Sequence, residues 1–348
     1  MPASSIRPRV WVSRPLFDDI IDRLRNDCVV EAETHDNTWT AAQIAAKLHD
    51  KHGAILGVSD PLDANAIANA PSLRAVANTG VGYNNLDLRA LTAAGVVATN
   101  TPDVLNEAVA DFAWALMLAA SRRVGEGERF LREGKWRGVS YHLMLGAEVH
   151  GRTLGIYGMG RIGQAIGRRA LGFNMSVIYH NRSRADAAVE RECRATYVSR
   201  EELLARSDFL ILVLPLTPET RHTIGAAELA QMKRTAILVN IARGGIVDDA
   251  ALIAALHERR LAGAGLDVFE NEPEFNPGFT ALDNVVLTPH IASAATDTRR
   301  AMTSLAVDNL LAALDFGPQA GRPPNVVNPD ALEVRKNLSH KKTNSPDE

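Results

Sequence analysis

The feature that most restricts the fold is a repeated alternation. Short, unbroken apolar runs rich in Val and Ile are separated by stretches with helical spacing. RVWVS (9–13), AILGV (54–58), LRAVAN (73–78) and VVATN (96–100) read as four strands in the first hundred residues. LGIYG (154–158), SVIYH (176–180), FLILVL (209–214), AILVN (236–240), AGLDV (264–268) and VVLTP (285–289) read as six more. Runs of this kind suit parallel strands covered by helices on both faces, whereas half-exposed strands alternate apolar and polar residues. Strand–helix alternation along the whole chain predicts a doubly wound, parallel-sheet α/β architecture.

A glycine pattern, GMGRIG (158–163), appears only midway. A dinucleotide-binding unit opens with the strand before such a motif, so the residues ahead of it need a domain of their own. Two α/β domains are expected. A Rossmann NAD(P)-binding domain at 104–294 is inserted into a flavodoxin-like substrate domain built from 1–103 and 295–330, and 348 residues suffice for both. Two long helical patterns, 106–123 and 298–317, carry the chain between the two domains. In the first, Val109, Phe112, Ala113, Leu116, Met117 and Ala120 follow helical spacing, and Trp114, Ala115, Leu118 and Ala119 make the other side apolar too. Such a helix reads as a core element or as a homodimer interface, and the two do not exclude each other. Residues 331–348 are polar without periodicity and are expected to be disordered.

Composition narrows the function classes. The apolar share of 46% and the net charge of −3 give no field suited to nucleic acid. The most apolar segment, 108–120, is interrupted by Asp111 and is too short to span a bilayer, and no secretory signal is visible. Cys28 and Cys193 form no C-x-x-C pair and indicate a reducing compartment, so a cytoplasmic protein is expected. His142, His150 and His290 lack metal-ligand spacing, and no metal is expected.

The glycine motif follows an apolar strand and opens a helical pattern, the context that phosphate binding requires. Gly158 permits the tight turn, Gly160 lets backbone N–H groups approach a pyrophosphate, and Gly163 lets helix and strand pack closely. Arg161 and Ile162 are counted with them as cofactor contacts. About 20 residues on, where an acid usually grips the ribose of NAD, the chain reads NRSR. Arg182 there attracts a 2′-phosphate, and Asn181, Ser183 and Arg184 complete the group. NADPH is therefore expected in preference to NADH.

Three polar residues punctuate the ends of the last strands: Arg243 after AILVN, Glu272 after AGLDV and His290 after VVLTP. Ligands of open α/β sheets collect outside the carboxyl ends of the strands, so these residues can converge. Hydride transfer to a ketone leaves negative charge on oxygen, and a histidine can supply the proton. A carboxylate beside the imidazole favours its protonated form, the role assigned to Glu272. Arg243 can clamp a carboxylate and polarise the adjacent carbonyl, which points to 2-oxo acids. Asp267 is a candidate for the nicotinamide carboxamide or for a cap of its own loop.

From about residue 50 to 328 the chain resembles the D-isomer-specific 2-hydroxyacid dehydrogenases. The motifs NTGVGYNNLD, NEAVADFAWALML, GIYGMGRIG, LPLTPETRH, NIARGGIVDD, GLDVFENEP and PHIAS carry the likeness. The resemblance implies that Arg243 binds substrate, that Glu272 and His290 handle the proton, and that Val81 and Gly82 hold the substrate carboxylate through their N–H groups. It also implies that Ile241 and Ala242 line the nicotinamide site and that Leu214 and Pro215 border the cofactor cleft. GMGRIG followed by NRSR is similar to the branch that reduces glyoxylate, hydroxypyruvate or 2-ketogluconate to the D-2-hydroxy acid. Corepressors of the family retain the same three residues, so an NAD(P)H-sensing binding protein is the alternative, as is a dehydrogenase of another 2-hydroxy acid.

Overall fold

The computed structural model describes residues 7–343. The chain divides into two compact units, one from residues up to Val104 and from Ala295 onward, the other from Leu105 to Ala294.

The first unit opens with β1 (Arg9–Val12), α1 (Asp18–Asp27), β2 (Val29–Ala32), α2 (Ala41–Leu48), β3 (Gly53–Leu56), α3 (Ala64–Ala68), β4 (Ala75–Asn78), α4 (Leu88–Ala93) and β5 (Val97–Thr99). Its five parallel strands lie in the order β2-β1-β3-β4-β5, the flavodoxin-like arrangement. β3, β4 and β5 are buried throughout, as their unbroken apolar runs require. Local signals set the helix starts: Thr40 and Gln43 form a reciprocal capping box at α2, and Asp63 and Asp87 cap α3 and α4.

The second unit begins with α5 (Asn106–Ser121) and α6 (Val124–Arg132), followed by β6 (Thr153–Tyr157), α7 (Arg161–Ala170), β7 (Ser176–His180), α8 (Ala187–Cys193) and β8 (Ala195–Tyr197). Next come α9 (Arg200–Arg206), β9 (Phe209–Leu212), α10 (Ala226–Gln231), β10 (Ile237–Asn240), α11 (Asp249–His257), β11 (Gly263–Leu266) and β12 (Val285–Leu287). All seven strands are parallel, in the order β12-β11-β10-β9-β6-β7-β8. The order reverses at β6, which pairs with both β7 and β9, and a doubly wound sheet binds its ligand at such a switch point. α5 packs on α7, β10 and β11 and buries Val109, Ala113, Trp114, Leu116 and Met117, so within this unit it is a core helix.

The chain then returns to the first unit through α12 (Thr296–Ala313), whose Ala306, Val307, Leu310 and Leu311 fill the core beneath β1, β3, β4 and β5. Residues 331–343 differ from the expected disorder, because α13 (Asp330–Thr343) is a helix. Its order comes from docking and not from periodicity. Ala331 is fully buried, and Arg335 donates to the Ala313 carbonyl at 2.6 Å and pairs with Asp315 at 2.8 Å. The last five residues of that stretch lie outside the described residues. Two strands escaped the sequence reading, β2 and β8, and each is the edge of its sheet.

Candidate active site

Three turns at the carboxyl ends of β10, β11 and β12 carry Arg243, Glu272 and His290. Asn240 ends β10 and organises the first turn, accepting from the Ala242 N–H at 3.1 Å and donating to the Arg243 carbonyl at 3.1 Å. Arg243 donates to the Ala242 carbonyl at 2.7 Å. Burial works against its charge and Glu272 supports it, while the guanidinium keeps its proton in any protein setting. The next residue must be glycine, since a Cβ at Gly244 would fall 1.6 Å from the Phe269 carbonyl oxygen. The turns after β10 and β11 are therefore in backbone contact. Ile241 and Ala242 are almost fully buried.

Glu272 is held at both oxygens. One accepts the Phe269 N–H at 2.8 Å and the other lies 2.7 Å from Nδ1 of His290. His290 adopts a left-handed conformation, with φ of 54°. That conformation is rare for a residue bearing a side chain and needs support from its surroundings. Asp267 supplies it: one oxygen accepts Thr288 Oγ1 at 2.7 Å and the Ile291 N–H at 2.8 Å, and the other accepts the Ala292 N–H at 2.8 Å. The His290 N–H returns to the Asp267 carbonyl at 2.9 Å. Burial pushes the Asp267 carboxyl up, and the three donors oppose the rise. Asp267 thus caps its own loop, with its side chain fully buried.

The glycine loop has the form that phosphate binding demands. Gly158 takes φ of 111°, Gly163 packs so tightly that a Cβ would sit 2.1 Å from the Gly158 carbonyl, and the position beside Gly160 is open. Gly160 begins α7, with Arg161 exposed and Ile162 half-buried behind it. The residues after β7 have separate tasks. Asn181 accepts the Met159 N–H at 2.7 Å, bracing the glycine loop. Arg184 is paired with Glu190 through two bonds of 2.8 Å, and Tyr179 donates to the same glutamate at 2.7 Å. Arg182 and Ser183 are exposed, and Arg182 makes no hydrogen bond or contact ion pair among the described residues. At the end of β9, Leu214 is half-buried and Pro215 exposed.

In the first unit, β4 leads into the NTGVGYNN loop. Asn100 donates to the Val81 carbonyl and Asn78 to the Gly82 carbonyl, both at 2.8 Å. The N–H groups of Val81 and Gly82 have no acceptor among the described residues.

A family model described as D-isomer specific 2-hydroxyacid dehydrogenase, NAD binding domain, matches residues 114–292. Glyoxylate reductases of Thermococcus gammatolerans and Pyrococcus furiosus are each 45% identical over 335 residues, spanning 95% of this chain and 99% and 98% of theirs. The chain belongs to the D-isomer specific 2-hydroxyacid dehydrogenases. It is accordingly an NAD(P)-dependent oxidoreductase of that family. A crystal structure of the NADPH-dependent glyoxylate/hydroxypyruvate reductase from Sinorhizobium meliloti, in complex with NADP and malonate, superposes with a TM-score of 0.80 at 36% identity. It covers 92% of this chain and 97% of that one.

Several residues that shape these loops in each unit were not singled out in the sequence. Asn78, Asn100 and Asn240 act by pinning backbone carbonyls, a task that any loop asparagine could have. The position of each at or just beyond the carboxyl end of a strand was the available signal. Among the described residues, no helix is long and apolar enough to cross a membrane.

Proposed function

We propose that this dehydrogenase reduces a small 2-oxo acid, such as glyoxylate, hydroxypyruvate or 2-ketogluconate, to the D-2-hydroxy acid, with NADPH preferred over NADH. The single observation that carries the reading is the 2.7 Å contact between His290 Nδ1 and Glu272, on a turn whose backbone touches that of Arg243. The glycine loop fits a dinucleotide, with an open approach at Gly160 and the N-terminus of α7 directed at the phosphates. The bound nicotinamide supplies the hydride. Arg243 clamps the substrate carboxylate and polarises the carbonyl, and Val81 and Gly82 offer N–H groups to the carboxylate. With Nδ1 engaged by Glu272, Nε2 of His290 is the atom that gives the carbonyl oxygen its proton.

The preference for NADPH rests on Arg182. No acid stands at the end of β7 to repel a 2′-phosphate, and Arg182 is exposed there with Ser183 beside it. Arg184 contributes less than the sequence implied, because Glu190 already holds two of its nitrogens. Ile241 and Ala242 line the nicotinamide site, and Leu214 and Pro215 border the cleft. The relatives named as glyoxylate reductases and the NADP-bound neighbour support the choice of substrate and cofactor.

A homodimer is part of the same reading. Val124, Leu131, Trp136, Val139, Tyr141 and Leu145 are all exposed on a single stretch of the chain, and exposed apolar groups of this kind mark interaction surfaces. A second copy is the cover we assign to them. Cys28 and Cys193 are free, buried thiols, in keeping with a cytoplasmic location.

The test is consumption of NADPH or NADH with glyoxylate, hydroxypyruvate and 2-ketogluconate, compared as kcat/KM. Turnover of at least one acid, faster with NADPH, is expected. Failure with every 2-oxo acid would remove the substrate assignment, and equal use of both cofactors would remove the preference.

A further inference from the structure

The segment after β9, PLTPETRH, carries Arg221 and His222, which the reaction described above does not use. Both reach Glu270. Arg221 donates to Glu270 Oε1 at 2.9 Å, and His222 Nε2 lies 2.8 Å from the same oxygen. The Glu270 N–H donates to the buried carboxylate of Asp249 at 3.1 Å, so side chain and backbone are both tied.

The backbone around this cluster is zipped. His222 takes φ of 50°, and its N–H donates to the Gly245 carbonyl at 2.7 Å. Ile224 N–H then donates to Ile246 at 3.1 Å, and Asp248 N–H donates to Ile224 at 2.9 Å, a short parallel bridge between Ile224 and Val247. A Cβ at Gly245 would meet the Arg221 guanidinium at 3.3 Å and Glu270 Oε1 at 3.5 Å. Glu270, on the turn that presents Glu272 two residues on, therefore holds the segment bordering the cofactor cleft through Arg221 and His222, and that segment reaches the turn after Arg243 through the His222 N–H on the Gly245 carbonyl.

We propose that Glu270 is a positioning residue for this reaction, a clasp that fixes the Arg243 and Glu272 turns against the 215–222 segment. The inference rests on the roles given to Arg243 and Glu272 under the proposed function. An exposed ion pair alone contributes little to stability. The clasp matters through geometry, because displacement by about 1 Å of a substrate-positioning group can cost on the order of 100-fold in rate. Glu270 touches neither substrate nor the reacting atoms and acts only through the turns it joins.

The experiment compares Glu270→Ala, Glu270→Gln and the double variant Arg221→Ala/His222→Ala in the full chain. It reads steady-state kinetics with glyoxylate and NADPH, melting temperature, and amide hydrogen exchange. Glu270→Ala is expected to lower kcat/KM for the 2-oxo acid by roughly 10- to 100-fold, chiefly through KM, with little change in melting temperature. Glu270→Gln keeps an oxygen for both donors and should remain within about threefold of wild type. The double variant should match Glu270→Ala, and adding that substitution to it should cost nothing more, as expected of one coupled unit. The amides of His222, Ile224 and Asp248 should lose protection in Glu270→Ala and keep it in Glu270→Gln. Wild-type kcat/KM in Glu270→Ala, or a loss that merely tracks a lowered melting temperature, overturns the proposal. Should wild type reduce no 2-oxo acid, the substrate reading falls, and exchange then decides the clasp alone: unchanged protection in Glu270→Ala overturns it too.

Discussion

Nδ1 of His290 and Oε2 of Glu272 stand 2.7 Å apart, and the other oxygen of that glutamate accepts the Phe269 N–H at 2.8 Å. The carboxylate is thereby fixed from both sides, and the imidazole it orients keeps Nε2, the atom to which we assign proton donation. His290→Ala should reduce kcat by about 10²–10⁴-fold, the usual contribution of a general acid. NADPH binding, read by fluorescence titration, should be retained. Near-normal turnover would take the proton-donor role from His290.

Glu272→Gln tests the carboxylate half of the pair. Glutamine keeps the shape but has one acceptor oxygen for the two contacts that Glu272 makes, so the ring should lose its fixed orientation and kcat should fall by roughly 10- to 100-fold. Steady-state kinetics of the variant measure this, and a wild-type kcat would reduce Glu272 to a structural partner.

Arg182→Ala should lower kcat/KM for NADPH while leaving that for NADH nearly unchanged. One exposed guanidinium–phosphate contact is lost, so roughly a tenfold to 100-fold fall in the NADPH/NADH ratio is expected. Arg184→Ala should move the ratio less, since Glu190 already holds that side chain. A ratio insensitive to Arg182 would place the 2′-phosphate elsewhere.

Asp249 offers a pH-dependent test of stability. Burial, with Glu270 and Asp248 adding repulsion, raises its carboxyl to about 6. A carboxyl raised above its unfolded value holds its proton more tightly when folded. It therefore costs stability once it ionises above that pH, and the cost fades as pH falls toward the ordinary carboxylate range. Asp249→Asn retains an oxygen for the Glu270 N–H and should stabilise the protein at about pH 8 by roughly 1–3 kcal/mol. The gain in melting temperature should vanish near about pH 4. A gain of equal size at both pH values would exclude ionisation as its source.

The parallel architecture and the three strand-end residues were legible because both depend on local patterns. Unbroken runs such as FLILVL mark strands covered on both faces, and β9 is buried throughout. The two strands that escaped notice, VVEA and ATY, sit at sheet edges, where one flank meets water and apolar residues are no longer required. α13 was illegible for a related reason. Its order derives from contacts such as Arg335 with the Ala313 carbonyl, far off in sequence. Residue type identified Arg184 as a cation for phosphate, but nothing in the local pattern showed that Glu190, on a solvent-facing helix, would claim it. Asp267 shows the same limit, since residue type alone does not tell that the following turn folds back onto its carboxylate.

The return of α12 to the first unit has a consequence for biosynthesis. Ala306, Val307, Leu310 and Leu311 complete a core whose strands are made some two hundred residues earlier, whereas the inserted unit has every strand in hand by Leu287. A chain leaving the ribosome amino end first can thus finish the later-encoded body while the earlier one waits with an uncovered apolar face. The order of synthesis thus leaves the strands between Arg9 and Thr99 without this covering helix until residues 296–313 have been made.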